Sequence, residues 1–116
     1  MAKNPTGRPV KYTPERMKQL ESWVRGNYLR SVTIADVLRA FPWARRRALN
    51  MHNFNPVDIT LRERLKQSIK YVRKGKEYSW VARKLKFWGE YHYARKFKER
   101  YGMTPKQYVN KYSRKR

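Results

Sequence analysis

The sequence predicts an all-α protein of about seven helices, and three observations predict it. Apolar residues recur three and four positions apart along most of the chain, the spacing that keeps them on one side of a helix. Thr13-Pro14, Asn55-Pro56 and Thr104-Pro105 each set a capping side chain directly before a proline, a helix-start signal. No stretch alternates apolar and polar residues for long enough to make a strand.

Residues 1–12 read as a flexible basic arm, since Pro5, Gly7 and Pro9 break any regularity. Thr13-Pro14-Glu15 opens the first helix with its acid near the positive helix end; Met17, Leu20, Trp23 and Val24 share one face, and Gly26 can close it. Thr33-Ile34-Ala35-Asp36 opens a second, with Ile34, Val37, Leu38 and Phe41 on one side. Pro42 stops that helix and can open the next, which holds Ala44, Arg45, Arg46, Arg47, Ala48 and Leu49. Asn55-Pro56-Val57-Asp58 starts a longer helix striped by Leu61, Leu65, Ile69 and Val72, with Gly75 just past its end. Tyr78, Val81, Ala82 and Leu85 mark a short fifth helix. The Phe87-Trp88-Gly89 turn follows, then a sixth helix with Tyr93, Phe97 and Tyr101 inside, closed by Gly102. Thr104-Pro105-Lys106-Gln107 is a capping box that opens the seventh, with Tyr108, Val109 and Tyr112 on its apolar side.

The order of helix, turn, cationic helix and capped helix occurs twice. It predicts two similar helix-turn-helix subdomains, 13–54 and 75–116, joined by a linker helix over 55–74 and preceded by the arm at 1–12.

Charge narrows the partner. The chain has 30 Lys and Arg against 8 Asp and Glu, a formal net charge of +22, where small soluble domains carry roughly 2–8. Residues 1–54 hold 11 basic and 3 acidic side chains and residues 55–116 hold 19 and 5, so the excess is not confined to a tail. Leu, Ile, Val and Phe make only 22 residues, a level at which disorder is the default. The 17 aromatic residues offset this, because rings bury more area per residue. A folded chain of this charge repels itself unless a polyanion neutralises it, so nucleic acid is the expected partner. Anionic lipid fits less well, since no segment pairs a wide Leu/Phe/Trp stripe with an opposing basic face. Without Cys, disulfides, Cys-containing zinc sites and thiol catalysis are excluded. No apolar run reaches the ~18–20 residues that span a bilayer. The N-terminus lacks the apolar stretch of a secretory signal, so a cytoplasmic, nucleoid-associated protein is expected. His52 and His92 stand far apart without an acidic cluster, and no phosphate-binding loop, nucleophile elbow or dinucleotide fingerprint occurs. We expect no enzyme, no metal and no cofactor.

A helix-turn-helix unit needs a short helix, a tight turn and a second helix whose outer face enters the major groove, and residues 78–101 meet that description. Near the start of its second helix, Glu90, Tyr91 and His92 would reach base edges, with Arg95 a turn further on. Arg can bridge guanine O6 and N7, and Glu can accept from cytosine N4. A carboxylate on so cationic a face suits a sequence reader; it also suits a helix N-terminus, and the two readings weigh evenly. In the first unit, residues 33–51, Arg45, Arg46 and Arg47 cover most of a helical turn and Trp43 stands at its start. Arg45, Lys96, Lys98, Arg8 and Thr33 are expected on phosphates, which orient a protein without specifying sequence. Gly7-Arg8-Pro9, flanked by Lys3 and Lys11, resembles the core of an AT-hook; a plain flexible leader is the alternative. Most tyrosines and tryptophans fall on inner faces; Trp80 and Trp88 do not declare their place.

At Phe87 to Tyr108 the string FWGEYHYARKFKERYGMTPKQY resembles the C-terminal signature of the AraC/XylS family of bacterial transcription regulators. Arg95-Lys96-Phe97-Lys98-Glu99-Arg100-Tyr101-Gly102-Met103-Thr104-Pro105, then Tyr108, carries the likeness, and a looser match runs from Thr13 to Tyr112. The resemblance implies a stand-alone DNA-binding module with seven helices and two helix-turn-helix units on adjacent major-groove segments. It assigns Glu90, Tyr91, His92 and Arg95 to the second reading helix, and Trp43, Arg46 and Arg47 to the first. It further implies a monomer on double-stranded DNA, an activator that recruits RNA polymerase. Two departures stand out: Lys86 precedes Phe87 where the family usually has Gly, and the first turn reads Phe41-Pro42-Trp43. The alternative function is a largely non-specific DNA-coating, packaging or architectural protein on the same fold. The leader Gly7 to Glu15 faintly resembles small DNA-recognition subunits of phage packaging enzymes, which fits that alternative.

Overall fold

Side chains of Thr13, Thr33, Asn55 and Thr104 accept first-turn N–H groups and set where helices begin. The computed structural model describes residues 11–112, and among these it contains seven helices and no strand. They are α1 (Pro14–Gly26), α2 (Ile34–Ala40), α3 (Arg46–Met51), α4 (Pro56–Arg73), α5 (Tyr78–Lys84), α6 (Glu90–Tyr101) and α7 (Pro105–Tyr112). The all-α architecture is the one the sequence predicts.

The chain divides into two compact units, with the boundary between Leu61 and Arg62 inside α4. In the first unit, Thr13 Oγ1 accepts from the Arg16 N–H at 3.2 Å and starts α1. Thr33 and Asp36 form a reciprocal capping box at α2: the Asp36 N–H donates to Thr33 Oγ1 at 3.2 Å and the Thr33 N–H to Asp36 Oδ2 at 3.0 Å. Leu20, Val24, Val32, Val37, Ala44, Leu49, Phe54 and Ile59 make the core. Tyr12 is also part of this unit. Its ring packs against the core, and its hydroxyl accepts from the Arg45 N–H at 2.8 Å. The sequence placed Tyr12 in the arm because one aromatic residue outside a helix has no periodicity to reveal it.

In the second unit, Leu65, Val72, Val81, Ala82, Leu85, Phe87, Tyr93 and Phe97 are buried. α5 packs on α6 and α6 on α7. The Thr104–Gln107 capping box forms, with the Gln107 N–H on Thr104 Oγ1 at 3.2 Å and the Thr104 N–H on Gln107 Oε1 at 2.9 Å.

Three helices end alike. After α5, the Phe87 N–H reaches back to the Ala82 carbonyl at 2.8 Å and the Lys86 N–H to Arg83 at 3.4 Å. After α3, Phe54 bonds Leu49 at 2.9 Å and Asn53 bonds Asn50 at 3.0 Å. After α4, Lys76 and Gly75 repeat the pattern on Tyr71 and Val72. This paired closure needs a left-handed residue, supplied by Lys86 (φ 67°), Asn53 (φ 55°) and Gly75 (φ 86°). So the departure at Lys86 leaves the turn geometry in place: a lysine adopts the backbone conformation that favours glycine. The α2–α3 turn is built differently. Phe41 closes α2 at φ −128° and ψ 85°, and the Ala44 N–H donates to the Phe41 carbonyl at 2.9 Å.

Candidate nucleic-acid interface

α6 is held by its inner side. Tyr93 and Phe97 are fully buried, and Tyr101 continues the row, its ring 4.4 Å from that of Phe97. At about 100° per residue, Tyr91, Arg95 and Lys98 project from the side opposite Tyr93; all three are exposed, Tyr91 at 85%. Neither Arg95 nor Lys98 makes a hydrogen bond or ion pair to another described residue, whereas Lys96 Nζ sits 3.5 Å from Glu99. Glu90 is exposed in the first turn. The result is a helix face with free cationic and aromatic ends, clamped from behind by an aromatic core.

His92 faces the turn. The Trp88 N–H donates to its Nδ1 over a long 3.4 Å, and the rings of Trp88 and Phe87 lie 5.6 and 5.7 Å from the imidazole. An accepting Nδ1 leaves the proton on Nε2. Burial against these rings holds the imidazole below its ordinary pKa, with Arg95 and Lys96 adding to the shift and Glu99 opposing it. Trp88 itself is 94% exposed. Trp80, by contrast, is half-buried, edge-on to Tyr71 at 5.2 Å and with Lys76 Nζ 4.8 Å from its ring centre.

In the first unit α3 begins at Arg46, with Arg45 as its flanking residue. The Arg45 guanidinium donates to the Pro42 and Ala44 carbonyls at 3.3 and 3.4 Å. Arg46 and Arg47 are exposed. Arg47, two residues from buried Leu49, points away from the core, roughly 160° around the helix. Exposed Met51 lies one turn further along that side, a residue the sequence did not single out. Trp43 is half-buried at the edge of the core, its ring 5.7 Å from Tyr12 and 5.9 Å from Phe41, with the Arg16 guanidinium 5.3 Å away. The Thr33 hydroxyl is committed to its cap beside the Asp36 carboxylate. Arg8 lies outside the described residues.

In the second unit α5, its turn and α6 follow a helix, turn, helix order, and in the first unit α2, its turn and α3 follow the same order. Residues 81–110, from α5 through most of α7, match the model of the bacterial regulatory helix-turn-helix proteins, AraC family, and form an AraC-family helix-turn-helix domain. No curated protein and no solved structure matches the chain. The family ties this domain to DNA binding and transcription regulation. Among the described residues no helix is long and apolar enough to cross a membrane, and no three His, Cys, Asp or Glu gather to hold a metal.

Proposed function

We propose that the chain is a sequence-specific transcription regulator that lays the second helix of each unit, α3 and α6, into adjacent major-groove segments of double-stranded DNA. The observation that carries this reading is the free outer face of α6 within the AraC-family match: Tyr91, Arg95 and Lys98 exposed and backed by buried Tyr93 and Phe97. In this reading Glu90, Tyr91, His92 and Arg95 read bases from α6, and Arg46 and Arg47, with Trp43 behind them, read from the first unit. Arg45, Lys96 and Lys98 position the backbone through phosphates, and Thr33 and Arg8 are secondary candidates. By family analogy the protein works as a monomer on the nucleoid, activates, and recruits RNA polymerase.

The net charge of +22 favours a second reading, a DNA-coating or packaging protein that uses phosphate contacts alone. A salt titration on random and selected duplexes separates the two. A coating protein gives a steep salt slope and the same affinity for every sequence. A reader keeps a preference of about 10³-fold or more for its site at physiological salt. Selection from a random DNA pool that returns no motif overturns the sequence-specific reading.

A further inference from the structure

We propose that Trp88 is a specificity residue that contacts thymine C5-methyl groups in the major groove, with His92 as its positioning residue. The proposal rests on the DNA-binding reading of α6 and adds a contact that neither the resemblance nor the family match assigns.

Trp88 and Tyr91 are the two most exposed large aromatic side chains among the described residues, at 94% and 85%, and they stand three positions apart at the entry to α6. By contrast Tyr93 and Phe97 of this unit are buried, and Trp80 is half-buried, with Tyr71 edge-on at 5.2 Å and Lys76 Nζ 4.8 Å from its ring centre. An indole left in water beside a helix start has no packing role in the chain. Its backbone N–H is tied to His92 Nδ1, and the imidazole lies 5.6 Å from the indole at an interplanar angle of 30°. At 94% exposure the imidazole covers little of the indole, so both faces of the ring stay open to a partner, while the hydrogen bond fixes the backbone from which it projects.

The surroundings define what such a plate can meet. Arg83, Lys84 and Lys86 before it and Arg95 and Lys98 after it are all exposed cations, so phosphates have better ligands than an uncharged ring. The residues at the start of a recognition helix approach base edges. Of the groups a B-DNA major groove displays there, the thymine methyl is the apolar one, and apolar side chains recognise it. Trp88 thus supplies a type of contact that the polar and charged residues of α6 do not.

The test compares one duplex made with thymine and again with uracil, which removes only the C5-methyl groups. The duplex carries the motif returned by pool selection, or a mixed sequence if selection returns none, so failure of sequence specificity does not block the measurement. With the full wild-type chain, uracil is expected to weaken binding by about 4-fold per methyl contacted, the worth of one buried carbon. In Trp88→Ala, whose folding is checked by helical circular dichroism, thymine and uracil duplexes are expected to bind alike. His92→Ala should reduce the discrimination without abolishing it. The proposal fails if the wild type ignores the methyl groups, or if Trp88→Ala weakens both duplexes equally, which marks a sugar–phosphate contact. It also fails if the single strand of the same sequence binds more tightly than the duplex in a Trp88-dependent way, which marks stacking on unpaired bases.

Discussion

The hydroxyl of Tyr93, in the first turn of α6, donates a 2.8 Å hydrogen bond to Ser68 Oγ on α4. Ser68 passes its own proton to the Leu65 carbonyl at 2.6 Å. Both side chains are fully buried. A two-step polar chain inside an otherwise apolar core has one good geometry, so it fixes how α6 is rotated about its axis. That rotation decides that Tyr91, Arg95 and Lys98 face outward.

Tyr93→Phe is expected to cost about 1 kcal/mol of stability, since it removes the Tyr93 hydrogen bond while Ser68 keeps its bond to Leu65. Ser68→Ala should cost more, because it strands the Tyr93 hydroxyl in the core. The double variant should be less destabilised than the sum of the singles. Denaturant unfolding of the four proteins measures the coupling; strict additivity would remove the chain from the account of α6 orientation.

The same burial makes the fold sensitive to alkali. Burial raises the Tyr93 pKa well above its ordinary value of 10.0, against a smaller lowering by the Ser68 hydrogen bond. Above pH 10 the unfolded chain loses this proton while the folded chain keeps it, so unfolded protein binds fewer protons and stability falls as pH rises. The contribution is complete below pH 10 and is lost above it. Stability measured from pH 8 upward should decline more gently in Tyr93→Phe than in the wild type. Parallel curves would show that Tyr93 is not the titrating group.

Much of this fold is written in its caps and stripes. Thr13, Thr33, Asn55 and Thr104 accept first-turn N–H bonds as their positions before helix-starting residues predict. Leu20, Val24, Val37, Leu49, Leu65, Tyr93 and Phe97 are buried as their spacing predicts. The site was less legible. Helical period shows that Arg95 faces away from Phe97, but α3 is too short for period alone to fix its start, and it begins at Arg46. Trp43 and Trp88 occupy turns, where no period operates: one joins the edge of a core and the other stands in water. The left-handed backbone at Lys86 was visible only as a lysine where the family usually has glycine.

That lysine is a site of removable strain. Side chains with a Cβ cost roughly 1–2 kcal/mol in the left-handed region, partly offset by the unfolded-state entropy of glycine. Nothing crowds the Gly75 or Gly102 positions that share this conformation, so space is not the reason for glycine there. Lys86→Gly should stabilise the second unit by about 0.5–1 kcal/mol, seen as a higher denaturant midpoint with unchanged slope. Asn53→Gly should give less, because asparagine tolerates this region. A lower midpoint for Lys86→Gly would mean the lysine side chain stabilises the turn.

On DNA, Arg95→Ala should weaken binding to the preferred site by about 1–3 kcal/mol and relax one base position. Equal weakening on all sequences would reassign Arg95 to the phosphates. Glu90→Gln should tighten binding to random DNA, since it deletes an anion facing a polyanion, and should blur selectivity. Tighter binding with selectivity intact would leave Glu90 a helix-start residue alone.

His92 should respond to acid in a defined direction. Its pKa is held below the ordinary 6.5, first by burial and then by Arg95 and Lys96, against Glu99. As pH falls below 6.5, the unfolded chain takes up this proton before the folded chain, so stability declines toward lower pH and is complete above the ordinary value. Protonation also places a hydrogen on Nδ1, which can then no longer accept from the Trp88 N–H. Nitrogen-15 NMR should find the Nε2–H tautomer at neutral pH, with a midpoint below that of histidine in an unfolded peptide. The Trp88 amide resonance should move with the same midpoint, since the proton that charges the ring is the one that releases the turn. A midpoint at or above the peptide value, or a Trp88 amide indifferent to it, would show that the imidazole does not hold the Trp88 backbone in place.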